Sequence, residues 1–362
     1  MSITKKTTFL ICFILPVIAI MAEYLGGHFH LVVPVTVFIL LPMLDFGIGK
    51  DSSNPVESEF LKLQNDIYFR VITFVWAFLQ LSFVIWAIYE IASKPKSILE
   101  FILFAFSVGL VTGGIGITVG HELGHKASKL EQFLSKMIYM TVCYMHFFIE
   151  HNFGHHVYVS TPTDSASSKK GQSFYSFYFQ SVFGGMKSAW KIETRRLSKL
   201  GLPNLHFRNE MIWYLLITLG FIGFLFVGGS YIRGAFAWDV IVFFLLQSII
   251  AFSLLELTNY IEHYGLKRKE IAPGKYEKVL PIHSWNQNYL VSNAFLFQLQ
   301  RHSDHHANAS RRYQVLRHFD EAPQLPYGYE LMILVALVPS LWFRMIDPIL
   351  ENWEKKREIL IP

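Results

Sequence analysis

Six apolar runs decide most of what this chain can become: residues 7–26, 29–45, 71–93, 98–120, 211–232 and 235–256. A helix needs about 20 apolar residues to cross a hydrocarbon core of about 30 Å, so each run is long enough or nearly so. The chain is 52% hydrophobic and 16% charged, whereas soluble domains carry about a quarter charged residues. Lipid is therefore the main solvent, and the sequence predicts an all-α integral-membrane protein, a six-transmembrane-helix bundle. Lys5 and Lys6 precede the first run, as in a signal peptide. No small-residue cleavage site follows, and further spans come quickly, so the run is expected to stay as a membrane helix. Gly26, Gly27 and His28 join the first two runs as a hairpin turn, and Pro34 and Pro42 are expected to kink the second. A further apolar stretch, 330–346, is interrupted by Pro339 and Arg344 and reads as interfacial or re-entrant.

Basic residues set the expected topology. With six spans, both termini and the loops 46–70, 121–210 and 257–362 share one side, and these regions hold 29 of the 32 Lys and Arg residues. The opposite side has only Lys94, Lys96 and Arg233. Positive charge collects in the cytoplasm, so the large loops are expected there, on a single membrane domain over 1–362. The cations lie between apolar spans rather than beside aromatics on a soluble face, which excludes a nucleic-acid binder. Cys12 and Cys143 stand alone in apolar surroundings and build no disulfide framework, zinc CxxC or iron–sulfur site. The polar run Ser165–Gly171 reads as an exposed loop.

Nine of the 15 histidines fall in four segments. They are His121-Glu-Leu-Gly-His125-Lys126 at the end of the fourth run, Glu150-His151-Asn-Phe-Gly-His155-His156, Asn259-Tyr-Ile-Glu-His263-Tyr-Gly265 after the sixth run, and Gln300-Arg-His302-Ser-Asp-His305-His306. On a helix, residues three or four apart share a face. His121 with His125, His151 with His155, and His302 with His305 and His306 can each converge on one ion. Adjacent residues such as His155 and His156 diverge and can serve two neighbouring ions. HExxH alone matches the zinc protease motif, with Glu122 as general base. That reading leaves the other three segments idle, because a zinc hydrolase uses about three protein ligands. Imidazole suits Zn, Cu, Fe and Ni alike. Nine imidazoles at one membrane face suit two ions with open positions, and economy of ligands favours redox-active iron.

As they stand, the four segments resemble the motif set of the bacterial membrane alkane 1-monooxygenases, within the membrane fatty acid desaturase and hydroxylase superfamily. Asn259–Gly265 discriminates, because it resembles the signature shared by alkane hydroxylases and xylene-type hydroxylases. Leu41-Pro-Met-Leu-Asp45, Asp51-Ser-Ser-Asn-Pro55, Thr161-Pro-Thr-Asp164 and His283-Ser-Trp-Asn286 are also similar. The resemblance covers residues from about 35 to 345 and implies a cytoplasmic histidine-rich diiron cap. It implies two non-haem Fe ions held by His121, His125, His151, His155, His156, His263, His302, His305 and His306, and all nine positions are filled. It further implies that O2 and medium- to long-chain alkanes are substrates and that rubredoxin delivers electrons, itself reduced by an NADH-dependent rubredoxin reductase. The place it implies is the bacterial inner membrane. The chain has no cysteine pairs for a rubredoxin iron and no dinucleotide fingerprint. Gly113-Gly-Ile-Gly116 lies within an apolar helix, where small residues serve close helix packing.

Terminal methyl C–H bonds are strong and unpolarised, so the reaction needs activated dioxygen rather than a base or nucleophile. The protein supplies ligation, electron delivery, exclusion of water and an apolar approach through the bilayer. Glu122, Glu150, Asp164, Glu256, Glu262 and Asp304 are candidates to orient imidazole N–H groups and offset metal charge. The resemblance suggests that the side chain at Val37 limits alkane length. Lys126, Lys129, Arg301, Arg311 and Arg312 form the expected face for an acidic rubredoxin. His146 is expected to be a packed residue and His283 a structural hydrogen-bonder. His28, His30, His206 and His318 are expected at interfaces or in solvent. The rival readings are a xylene-type hydroxylase, a fatty-acid desaturase or hydroxylase, a membrane zinc protease, and a transporter. A transporter needs ionisable groups through mid-membrane, whereas Glu23, Glu90 and Asp239 lie near span ends or faces.

Overall fold

The computed structural model describes residues 6–360. Six helices are long and apolar enough to cross a membrane: α1 (Thr8–Leu25), α2 (Gly27–Ile48), α3 (Ile67–Ser93), α4 (Ile98–Gly124), α8 (Glu210–Arg233) and α9 (Trp238–His263). Between α4 and α8 run α5 (Lys129–Met140), α6 (147–158) and α7 (Phe174–Lys199). After α9 come a hairpin of β1 (Glu270–Ala272) and β2 (Lys275–Tyr276), then α10 (Leu290–Phe295), α11 (His302–Ala307), α12 (Tyr329–Ala336) and α13 (Pro339–Leu360). The all-α, six-span architecture read from hydropathy is present.

Helix ends follow local chemistry. Asp66 accepts from the Tyr68 N–H at the start of α3, Ser97 and Glu100 form a capping box on α4, and Asn209 caps α8. These side chains satisfy N–H groups that a helix start leaves open. Gly26 and Gly27 turn the α1–α2 hairpin with φ of 71° and 56°, a conformation that disfavours other residues.

Span boundaries depart from the hydropathy runs. α3 begins at Ile67 rather than 71, α4 continues past 120 to Gly124, and α9 past 256 to His263. Hydropathy stops where polar side chains begin, but the backbone ladder does not. A helix of 27 residues, such as α4, is about 40 Å long, roughly 10 Å more than the hydrocarbon core. The surplus turns of α4 and α9 carry His121 and His263 past its end. Both spans run in the same direction, so both histidines emerge on one face.

The close pair at the centre is α4 against α9. A Cβ added at Gly113 would stand 2.6 Å from the Ala251 Cα, and one at Gly109 would stand 2.7 Å from the Ile250 Cβ. The Gly113–Gly116 motif therefore does serve helix packing. Buried amides cross-link the bundle: Gln80 Nε2 donates to Thr141 Oγ1 at 2.8 Å, Gln247 Nε2 to the Thr141 carbonyl at 2.9 Å, and Thr112 Oγ1 to Gln247 Oε1 at 2.9 Å. In lipid each of these groups would cost several kcal/mol unpaired, so the network pins the α5–α6 connection inside the bundle.

The stretch 330–346 is two helices, broken at Leu337–Val338, and α12 packs between α2 and α9. Ser165–Gly171 is only partly exposed: Ala166, Ser167 and Ser168 are buried, and Ser168 Oγ donates to the Tyr260 carbonyl. His30 is buried rather than interfacial, with Nε2 3.4 Å from Glu23 Oε2, because the Gly26–Gly27 turn folds it back onto a carboxylate already paired with Lys96. Glu90 pairs with Lys94 and Asp239 with Arg233, so Glu23, Glu90 and Asp239 gather at the end opposite His121. His28 is exposed, while His206 and His318 are half-buried.

Candidate metal centre

Nine histidines from α4, α6, α9 and α11 meet beyond the ends of the spans and sort into two groups. His121, His125, His151, His156 and His305 form one; His155, His263, His302 and His306 form the other, with the ligand atoms of each group within 4.8 Å of one another. The inward atoms have the spacing of ligands to a shared ion. His156 Nε2 is 3.0 Å from His151 Nε2 and 3.1 Å from His305 Nε2, and His302 Nε2 is 3.3 Å from His263 Nε2. Two nitrogens each about 2.1 Å from one metal, at right angles, are about 3 Å apart. The Nε2 atoms of His121, His125, His155 and His306 are buried without a hydrogen-bond partner among the described residues. Buried polar atoms are almost always paired, so both clusters fit metal ions.

The grouping corrects two expectations drawn from helical spacing. His121 on α4 and His125, one residue past its end, do share a group. His151 and His155 do not, because α6 makes a π-turn over His151–His155, in which the His156 N–H bonds back to the His151 carbonyl. An i→i+5 turn stacks residues five apart, bringing His156 over His151 and turning His155 to the other group. On α11, His302 and His306 share one group while His305 points to the other, so the three do not converge on one ion.

Electrostatics keep five of these imidazoles neutral. Burial, and secondarily the neighbouring imidazoles, hold His151, His156, His302, His305 and His306 well below the ordinary histidine range. A neutral ring offers the lone pair that a metal needs. His155 Nδ1 donates to Asp164 Oδ2 at 2.8 Å, which leaves its Nε2 free to face inward. Burial pushes the Asp164 carboxyl up, but His155 and the Ser167 hydroxyl outweigh it and hold the group below the usual range. Glu262 Oε2 lies 3.1 Å from His302 Nε2.

The other carboxylates face elsewhere. Glu122 pairs with Lys126 at 3.0 Å, Glu256 accepts from the Tyr144 hydroxyl at 2.7 Å, and Asp304 receives Arg311 and the Arg317 N–H. Glu150 is buried beside Gly154 and Ser188. Glu122 is thus engaged by a cation rather than poised as a protease base. His146 packs against Tyr144, and His283 bonds the Leu280 N–H and Glu277.

An apolar cavity reaches this centre from within the bundle. It begins among Leu15, Val37, Phe38 and Leu110, passes Gly113, Gly114 and Ile117, and ends on His121, His151 and His302. From Leu110 to His121 along α4 is about 16 Å at 1.5 Å per residue. All three π-turns among the described residues, Thr36–Leu40, Val111–Ile117 and His151–His155, contribute to its wall. Pro42 has no N–H for the Phe38 carbonyl, which disrupts the α-ladder at the first of them. Helical periodicity carries no sign of these turns; Pro34, Pro42 and the Gly113–Gly116 run are the sequence marks that coincide with two of them.

The expected docking face needs revision. Lys126 and Arg301 are buried, with Lys126 spent on Glu122 and the Arg311 carbonyl and Arg301 on the carbonyls of Leu316, Asp51 and Ser53. Lys129 remains exposed and Arg311 and Arg312 half-buried. Two surface hollows flank Asp164 instead, one bordered by Lys169, Lys170, Lys267 and Arg268, the other by Lys187, Lys191 and Arg195.

Comparisons with known proteins agree with this site. The fatty acid desaturase family model matches residues 98–335. The alkane 1-monooxygenase 2 of Pseudomonas aeruginosa is 48% identical over 332 residues, covering 90% of this chain and 85% of the relative. The alkane 1-monooxygenase of Acinetobacter baylyi is 43% identical, over 87% of this chain and 75% of the relative. The xylene/toluene monooxygenase hydroxylase component of Pseudomonas putida is 30% identical, over 73% of this chain and 68% of the relative. This chain, with its paired histidine clusters at the end of a six-span bundle, therefore belongs to the alkane 1-monooxygenase family of membrane oxidoreductases, within the fatty acid desaturase superfamily.

Proposed function

We propose that this chain hydroxylates the terminal methyl group of alkanes to 1-alkanols, using O2, two irons held by the nine histidines, and electrons from reduced rubredoxin, itself recharged by an NADH-dependent reductase. The observation that carries this reading is the apolar cavity whose inner end is His121, His151 and His302. A bound pair of irons supplies the activation of dioxygen; the chain does the rest. Apolar side chains from α1, α2, α4 and α9 take the alkane from the bilayer and keep water out. Val37 and Phe38, far along the cavity from the histidines, limit how long a chain can lie with its methyl group at the metal end. Asp164 holds His155 in the tautomer that presents Nε2, and Glu262 stands beside His302. Relatives 39–48% identical are named for alkanes, against 30% for the xylene/toluene enzyme, which favours an alkane over an aryl methyl substrate.

Electrons enter, on this reading, where the cationic hollows meet Asp164, because an acidic carrier is steered to clustered Lys and Arg. The basic loops support a single membrane domain whose metal-binding segments, 121–210 and 257–362, lie on the cytoplasmic side of a bacterial inner membrane. The test is metal analysis of purified protein in lipid, combined with conversion of octane to 1-octanol that requires O2 and reduced rubredoxin. Two irons per chain and dependence on both reagents are expected. Active protein carrying only zinc, or product formed without O2, refutes the reading.

A further inference from the structure

Beside the cavity lies a buried acid pair that the metal centre does not use. Glu330 on α12 and Asp45 at the end of α2 both contact the hydroxyl of Ser292 on α10: Ser292 Oγ is 2.8 Å from Glu330 Oε2 and also hydrogen-bonded to Asp45 Oδ2. Asp45 Oδ1 accepts from the backbone N–H groups of Val291 and Ser292, at 3.1 and 3.0 Å. Both carboxyls are buried, at 2% exposure for Asp45 and 3% for Glu330. Gly328 leaves room for the trio, because a Cβ there would stand 3.1 Å from Asp45 Oδ2 and 3.2 Å from both Glu330 Oε2 and Ser292 Oγ.

Hydrogen counting decides the protonation. A hydroxyl has one proton and can donate to one carboxylate, not two. With an acid oxygen on either side of Ser292, one carboxyl must itself carry a proton and donate to the hydroxyl. Glu330 is the one that borders the metal cavity, together with Tyr329 and Glu262, and its Oε1 is buried without a partner. Burial, with the Asp45 charge adding to it, raises the Glu330 carboxyl to about 7.

We propose that Glu330, held in its acid form beside Ser292 and the Asp45 carboxylate, donates a proton into the cavity during dioxygen reduction. The proposal rests on the hydroxylase reading above. That reaction breaks the O–O bond and one C–H bond and forms one C–O bond. One oxygen enters the alcohol, and the other leaves as water after taking two electrons from the carrier protein and two protons. An apolar cavity that excludes bulk water while substrate is bound needs an internal source for the first of those protons. A half-turn of the Glu330 carboxyl carries its proton from the Ser292 side to the cavity side; the second proton, and the one that restores Glu330, are taken from water as the product alcohol leaves.

Glu330→Gln keeps the shape and removes the acid. Expected are unchanged iron content and alkane KM, kcat lower by about 100-fold or more, as for loss of a positioned acid, and reducing equivalents diverted to hydrogen peroxide. Glu330→Asp should recover part of the coupling. Independently of activity, infrared spectra of the wild type at neutral pH should show a protonated carboxylic acid band that Glu330→Gln lacks. Wild-type turnover and coupling in Glu330→Gln, an unchanged infrared band, or loss of metal in step with activity would each overturn the proposal. If the wild type oxidises no alkane, the hydroxylase reading fails and the proton's role with it, while the infrared band still reports whether Glu330 is an acid.

Discussion

His155 and His156 are neighbours in sequence and members of different clusters. His155→Ala and His156→Ala should therefore each lower bound metal from two ions towards one, but at different sites, giving distinct spectra of the remaining ion. Identical spectra would contradict the split. Asp164→Asn should weaken one ion only, by about 10- to 100-fold, because it removes the carboxylate that orients His155. Acid should release both ions. The buried imidazoles are held below their ordinary pKa, so below about pH 6.5 the unfolded chain binds protons that the folded site refuses. Both metal retention and stability then fall as pH falls; a flat metal content between pH 7.5 and pH 5.5 would count against this.

The elements that shape the cavity are the three π-turns. Each breaks an otherwise regular helix where a wall of the cavity is needed, as such turns commonly do at functional sites. Val37 lies in the first of them and is half-buried against the cavity. Val37→Trp should shorten the usable length, reducing turnover of long alkanes by about tenfold or more relative to short ones, a discrimination within reach of a filled apolar pocket. Product ratios from mixed-chain competition read this directly, and an unchanged ratio would remove Val37 from the channel. Hydropathy and i,i+4 spacing located the helices but assumed uniform α geometry, and that assumption is why His151 and His155 were expected on one ion.

Across the whole molecule, charge is separated from chemistry by a short distance. Lys187, Lys191 and Arg195 border one hollow beside Asp164, and Lys169, Lys170 and Lys267 border the other. Lys187→Glu with Lys191→Glu should lower kcat/KM for reduced rubredoxin by about tenfold, with a weaker salt dependence and an unchanged alkane KM. Equal loss with a small chemical reductant would place the defect elsewhere. Membrane class, span number and the four histidine segments were legible in the sequence, because hydrocarbon thickness and imidazole chemistry act on single residues and short runs. Asn259–Gly265 carried the family resemblance for the same reason. Which histidines share a cluster, that Lys126 and Arg301 are buried, and that Asp45, Ser292 and Glu330 meet were decided only by tertiary structure. Those facts depend on local helix pitch and on contacts between residues as many as 250 positions apart, neither of which a one-dimensional pattern contains.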